Sequence, residues 1–384
     1  MEFKNLTLIF AHFEKEHLGK DVFLVPYYLG KELSYEVTIV YKKTKTNNLF
    51  KNNSYKGVKL RSLINIFKLN KLQNTSFFLS SLLYVIKNGK KIDLLMTFHF
   101  RFTSAILCVL YKMINPNGKF YLKVDGGKDI VEVRKKASYF KNLLYNKLLN
   151  QSDYISLETS KVYKLWIDHL NIQEKIFLVR NGFDEKELEK SSIKLIPFTK
   201  KENIVITVGR IGAVEKNTLM FLKAIEKLSE LKDWKFFLIG PIEEKFKNSI
   251  NEFYIKNPKL KDKIIFTGSI YEKKDLWEYY NKAKVFVLTS ITESFALVYT
   301  EAYRFNNYII STDVGGAKDT IEKNQNFGKL VGQNNDEELK SILEQIINDN
   351  DYFLKYPDKD HSDNSWQICL KSLVDSIKNN KIGV

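Results

Sequence analysis

Short apolar runs of four to six residues alternate along this chain with longer stretches in which apolar positions recur every three or four residues. The short runs have the length and the β-branched and aromatic content of strands. The longer ones have the period of helices, and the alternation predicts βαβ units on parallel sheets. In the first half, strands are expected over residues 6–10, 36–40, 93–97, 119–124, 154–157 and 176–179, with helices between them such as 75–87 and 103–114. Six more strands are expected over 203–208, 235–239, 263–267, 285–288, 307–311 and 328–331.

The sheet pattern thus starts twice, at residues 6 and 203, and the polar, irregular stretch 185–201 between them reads as a linker. The predicted fold class is α/β, with two Rossmann-like, doubly wound parallel-sheet domains. The expected divisions are 1–185, 202–360 and a closing helical segment 361–384. A chain of 384 residues is comfortable for two domains. Doubly wound sheets bind ligands beyond the C-terminal ends of their strands, so two of them are expected to face a shared cleft.

The chemistry is densest in the second half. The strand expected at 203–208 runs into Gly209-Arg210-Ile211-Gly212-Ala213-Val214-Glu215-Lys216-Asn217. Glycine at a strand end lets a ligand approach the backbone, and Arg210 and Lys216 are able to neutralise one diphosphate, as a planar fork and a point charge. Two surface cations would give the same spacing. The strand at 285–288 leads into Thr289-Ser290-Ile291-Thr292-Glu293-Ser294-Phe295-Ala296-Leu297, with Glu301 further on. A helix starting near Ser294 or Phe295 would aim free N–H groups and its positive end at a phosphate. Glu293 and Glu301 would fall on roughly the same side of it, suited to bonding sugar and ribose hydroxyls. The plainer reading makes Glu293 a dipole-favoured first-turn residue and Glu301 a solvated one.

The spacing Glu293-x7-Glu301 resembles the E-x7-E signature of the retaining GT-B glycosyltransferases of family 4, the glycosyl transferases group 1. Other marks follow in order. Gly209-Arg210 with Lys216-Asn217 is similar to the family's G-R-x5-K-N segment, and Arg180-Asn181-Gly182-Phe183-Asp184 to its P-N-G-V-D turn, with arginine for proline. Thr312 to Gly316 resembles the S-x-x-G-G turn, and Ser365-Trp366 the S-W that opens the last helix. The resemblance is strong across 176–376 and weak before it. It implies Arg210 and Lys216 on the donor diphosphate, the backbone of Ser294, Phe295, Ala296 and Leu297 at phosphate and sugar, and Glu301 at the ribose. It further implies Glu293 at the transferred sugar and reacting face, with Gly240, Ile270 and Tyr271 flanking the base.

In the first half the family has a histidine after the fourth strand, where this chain has Asp125. A carboxylate there is able to bond a donor-sugar hydroxyl or to orient an acceptor hydroxyl, or it simply opens a Gly-Gly turn. His99, in Phe98-His99-Phe100-Arg101, is a second candidate on the acceptor side, or a packed core histidine. Gly19 stands where a glycine loop would face the donor phosphates. Asp349-Asn350-Asp351 and Asp358-Lys359-Asp360 both spell the D-x-D metal motif of the unrelated GT-A transferases, but in polar stretches that read as surface turns. No metal and no bound cofactor is expected, and the donor would be a UDP-, GDP- or ADP-sugar.

Charge changes the picture on one point. Residues 1–185 carry a net +14 and the remainder only +2, and between Val37 and Ile92 there are 12 basic residues and no acidic one. Such a field attracts polyanions, an anionic membrane surface among them, although a lysine-rich solvated face has the same composition. The run 133–144 mixes cations with aromatics and leucines, as interfacial helices do. Two distant cysteines and no apolar stretch of membrane-spanning length suit a cytoplasmic protein, peripheral on the membrane.

The function expected is retaining transfer of a sugar from a nucleotide diphosphate to a glycan or lipid-linked acceptor in surface polysaccharide assembly. Nucleic acid is not an expected partner. The rival readings are a nucleotide-sugar epimerase on the same plan, which needs no acceptor, and a non-enzymatic polyanion binder.

Overall fold

The computed structural model describes residues 4–43, 53–63, 73–126, 130–322, 327–357 and 361–379. The chain forms two compact units, one of residues 1–181 with 366–384 and the other of residues 182–365.

The first unit is built on an eight-stranded sheet: β1 (Asn5–Ile9), β2 (Glu36–Lys42), β3 (Ser54–Tyr55), β4 (Val58–Leu63), β5 (Leu94–Phe98), β6 (Lys119–Val124), β7 (Tyr154–Leu157) and β8 (Ile176–Leu178). Their order is β3-β4-β2-β1-β5-β6-β7-β8, and all pairs but β3–β4 are parallel. Helices cover both faces, so central strands such as β5 are buried at every position, the continuous apolar runs typical of a parallel sheet. The six strands expected here are present. The β3–β4 hairpin was not expected.

The second unit carries β9 (Glu202–Val208), β10 (Lys235–Ile239), β11 (Ile264–Gly268), β12 (Ala283–Leu288), β13 (Tyr308–Thr312) and β14 (Gly328–Val331). They form an all-parallel sheet in the order β11-β10-β9-β12-β13-β14. All six expected strands are present. The stretch expected as an irregular linker instead begins with helix Glu185–Ser191. Leu188 of that helix is buried in the second unit's core with Phe183, and Arg304 Nε donates to Glu185 at 2.6 Å. A polar helix is held here by one apolar side chain and one ion pair, which periodicity does not reveal.

Helix Trp366–Lys378 packs within the first unit, where Trp366, Leu370 and Leu373 are fully buried in a cluster with Phe23 and Leu24 of helix Asp21–Leu33. In both sheets the strand order reverses beside the first strand, between β1 and β5 and between β9 and β12. These are the points where two neighbouring loops diverge and leave room for a ligand.

Candidate active site

The loops after β9 and β12 are neighbours at the reversal point of the second sheet, and they are tied to each other. Ile291 N–H donates to Glu215 O at 2.8 Å. The Thr289 hydroxyl bonds Asn217 O at 3.0 Å and Lys216 O at 3.2 Å. Lys216 is thereby placed against the second loop, where its ammonium meets Glu293 Oε1 at 2.5 Å, and the Ser290 hydroxyl donates to the same oxygen at 2.7 Å. Both members of this pair are mostly buried, so its charge-assisted bond is stronger than an exposed one.

Arg210 is more than half exposed and pairs with Glu215 and, at 3.7 Å, with Glu243. Exposed pairs of this kind contribute about 0–1 kcal/mol, so the guanidinium is readily surrendered to a stronger anion. A Cβ on Gly209 would make only ordinary contact, at 3.6 Å, with the Lys216 stem. Gly240 at the end of β10 has φ +138°, and a Cβ there would lie 1.9 Å from Gly209 O. Glycine is obligatory at that position for the protein's own packing.

The helix expected to start near Ser294 or Phe295 begins at Val298 instead and ends at Arg304. Ala296 has φ +68°, which no helix accommodates. Phe295 explains the detour. Its ring is buried beneath the turn at Gly315 and Gly316, and Gly316 N–H donates to Phe295 O at 2.9 Å. A Cβ on Gly316 would come within 2.6 Å of that ring. Among the described residues no acceptor takes the N–H groups of Ser294, Phe295, Ala296 or Leu297. An open loop, not a helical turn, presents these donors.

Glu301, on the short helix, accepts from Trp277 Nε1 at 3.1 Å. Burial raises its carboxyl above the usual range, with Lys273 and the Trp277 bond opposing. Tyr280 lies beside it, fully buried, and burial together with the Glu301 charge holds its phenol well above the ordinary value. Ile270 is half-buried against the core after β11, and Tyr271 next to it is almost wholly exposed.

In the first unit, the turn after β5 and the turn after β6 bring two expected residues into contact. His99 Nδ1 is hydrogen-bonded to Asp125 Oδ1. His99 has φ +70°, a strained value for a non-glycine residue. It is fixed there by its own N–H to Lys123 O at 2.8 Å and by the Ser104 hydroxyl on its carbonyl at 3.0 Å. Burial pushes Asp125 up, but the His99 bond and charge and the Lys123 charge outweigh it, and the carboxyl lies below its ordinary range. Gly19 ends a short 3-10 turn, Lys15–Gly19, outside the left-handed region. Asp349 to Asp351 forms an Asx turn, Asp351 N–H donating to Asp349 Oδ1 at 2.9 Å. The second D-x-D, at Asp358, lies outside the described residues.

Residues 189–360 match the family described as glycosyl transferases group 1. The second unit carries a glycosyl transferases group 1 domain. Among curated proteins the chain is similar to the GalNAc-alpha-(1->4)-GalNAc-alpha-(1->3)-diNAcBac-PP-undecaprenol alpha-1,4-N-acetyl-D-galactosaminyltransferase of Campylobacter jejuni. The two are 33% identical over 181 residues, which is 46% of each chain. It is also similar to the capsular polysaccharide biosynthesis glycosyltransferase CapM of Staphylococcus aureus, 27% identical over 57% of this chain and 59% of that one. The alignments thus span about half the length of these relatives. Among solved structures, sucrose-phosphate synthase from Thermosynechococcus elongatus superposes with a TM-score of 0.68 at 17% identity, covering 98% of both chains. The fold is GT-B.

Within the group 1 domain, two residues that hold the expected carboxylates escaped the sequence reading, Ser290 on Glu293 and Trp277 on Glu301, and Tyr280 is buried beside Glu301 without bonding it. Trp277 and Tyr280 stand three apart on helix Lys273–Lys282, so the helical period places them on one face. Nothing local says which carboxylate that face meets. Among the described residues no helix is long and apolar enough to cross a membrane.

Proposed function

We propose that the protein is a retaining glycosyltransferase that moves a sugar from a nucleotide diphosphate to a hydroxyl of a glycan or lipid-linked acceptor, in assembly of a bacterial surface polysaccharide. The observation that carries this reading is the knitting of the loops after β9 and β12, which sets Lys216 on Glu293 beside a strip of unclaimed N–H groups. A departing diphosphate gathers negative charge. Fixed donors and cations at that place stabilise the transition state more than the ground state.

In this reading Lys216 and Arg210 hold the diphosphate, and the amides of Ser294, Phe295, Ala296 and Leu297 take its oxygens. Glu301 accepts the ribose hydroxyls, with Gly240, Ile270 and Tyr271 near the base. Glu293, released from Lys216 as the phosphate arrives, meets the transferred sugar. The acceptor hydroxyl attacks on the face from which the diphosphate leaves and gives its proton to the departing phosphate. His99 and Asp125 serve the acceptor: with its Nδ1 on the carboxylate, the imidazole has Nε2 left for a sugar hydroxyl. The polysaccharide assignment is supported by what the Staphylococcus relative is named for.

A thermal-shift screen of UDP-, GDP- and ADP-sugars tests the donor site. One class should stabilise the wild type, and Lys216→Ala and Glu301→Ala should each lose most of that shift. If no nucleotide sugar stabilises the protein, or if both variants respond like the wild type, the assignment is wrong. Turnover of the donor without any acceptor to an epimeric sugar would replace transfer by epimerisation.

A further inference from the structure

The first unit has a pocket of its own at the reversal point between β1 and β5. It has a volume of about 290 Å³, and Phe10, Phe77, Phe78 and Phe98 form apolar walls. His99 lines it, as do His12 and Arg101, which follow β1 and β5. Lys42, buried at the end of β2, adds a second fixed cation to Arg101: its ammonium donates to Asn74, another lining residue, at 3.1 Å.

Among the described residues Arg101 has no side-chain hydrogen-bond or ion-pair partner. It also occupies the N-cap of helix Phe102–Ile114, where a cation faces the positive end of the helix dipole and gives the orphan amides no acceptor. The N–H groups of Phe102, Thr103 and Ser104 find no acceptor among the described residues, and Thr103 and Ser104 line the pocket. His12 registers the field, its pKa lowered first by burial and then by Lys42 and Arg101, with Glu14 opposing. The other nearby carboxylate, Asp125, is engaged by His99. A second kind of observation points the same way. Thr97 lines the pocket and is 2% exposed, yet its hydroxyl has no partner. Buried hydroxyls are rarely left unbonded.

We infer that this pocket binds a carboxylate or phosphate borne by the accepting sugar, so that the enzyme selects an anionic acceptor. The inference rests on the transferase reading above. Arg101 and the amides of Phe102–Ser104 take the anion, Thr97 a ring or exocyclic oxygen, and the phenylalanines the apolar ring face. His99, on the pocket wall, then stands beside a hydroxyl of the same ring. An acidic sugar ring therefore has to be supplied by an earlier oxidation or phosphorylation of a neutral one.

Calorimetric titration of the full chain with methyl glucoside, methyl glucuronide and glucose 6-phosphate tests it, the last two separating a carboxylate from a phosphate. At least one charged ligand should bind about tenfold or more tightly than the neutral one. Arg101→Gln, at an exposed position where folding is not at stake, should erase that preference, and Thr97→Val should weaken the charged ligand's binding. Equal affinity for charged and neutral sugars overturns the inference, as does a charge preference that Arg101→Gln leaves intact. The two readings fail separately. Loss of the nucleotide-sugar thermal shift with anion binding retained removes the transferase assignment. A normal nucleotide-sugar shift without anion preference removes only the acceptor class.

Discussion

At the scale of single residues, the protein's buried carboxylates are distinguished by what they are paired with. Lys123 is fully buried on β6, between Asp21 at 3.0 Å and Glu158. One buried ammonium cannot fully compensate two carboxylates packed against it. Burial, with the Asp21 charge adding to it and Lys123 opposing, therefore pushes Glu158 up to about 7. The sign of the consequence is fixed. Between the unfolded value near 4.5 and about 7 the folded state holds more protons than the unfolded one, so stability falls as pH rises through that window. Glu158→Gln should flatten the fall, read as the melting temperature across the range. Lys123→Met leaves both carboxylates uncompensated and should cost about 3–5 kcal/mol at neutral pH. A melting profile unchanged by Glu158→Gln would show that another group carries the dependence. Glu301 differs, since in the proposed donor site its ionised form accepts the ribose hydroxyls. Because burial raises its pKa, nucleotide-sugar affinity should drop as pH falls into the acid range. Glu301→Gln should remove that slope in calorimetry, whereas a slope that survives the substitution places the titration elsewhere.

At the scale of elements, strands were legible and their exceptions are instructive. A buried parallel strand is a continuous apolar run, so β5, β6, β9 and β12 stand out in the sequence. The β3–β4 hairpin does not. It lies at the sheet edge with alternating exposed positions, and its two-residue turn, Lys56-Gly57, has φ +48° and +84°. That turn is usually announced by Asn-Gly or Asp-Gly, and a lysine in the first position hides it. The loop before Val298 misled for the opposite reason. Phe295 to Tyr299 reads as helix, but the ring of Phe295 is claimed by the Gly315–Gly316 turn, a contact that local pattern does not carry. The pairing of His99 with Asp125 was likewise invisible. Both residues were legible as candidates, but only the strand order sets β5 beside β6. The glycine turn gives a test of the loop: Gly316→Ala should displace Phe295, cost about 1–3 kcal/mol by overpacking, and diminish the nucleotide-sugar thermal shift. A native shift in that variant would mean that the loop does not depend on the turn. The closing helix is anchored by Trp366, fully buried. Trp366→Ala should cost about 3–5 kcal/mol in chemical denaturation, and a loss below 1 kcal/mol would show the helix to be dispensable for the first unit.

At the scale of the whole molecule the charge is lopsided, and the structure gives that asymmetry a surface. The run 133–144 is split between helices Ile130–Lys135 and Tyr139–Gln151. Their junction exposes Tyr139, Phe140 and Leu143 beside the exposed Lys135, Lys136 and Lys141, while Tyr145, Leu148 and Leu149 of the second helix are buried. Three large apolar side chains ringed by cations have the make-up of an interfacial patch. Each basic residue near an anionic bilayer contributes about 1 kcal/mol, and the contribution is screened within a Debye length. We therefore expect the full chain to sediment with phosphatidylglycerol-rich vesicles at low salt, to be released as salt is raised, and to ignore vesicles of neutral lipid. Phe140→Ser with Leu143→Ser should remove binding that the electrostatic term alone does not sustain, and with little effect on folding because both residues are exposed. Equal sedimentation with neutral vesicles, or no loss in the double variant, would mean that the patch is not the contact. The residual attraction would then belong to the acid-free stretch before Ile92, whose 12 basic residues carry charge that added salt screens.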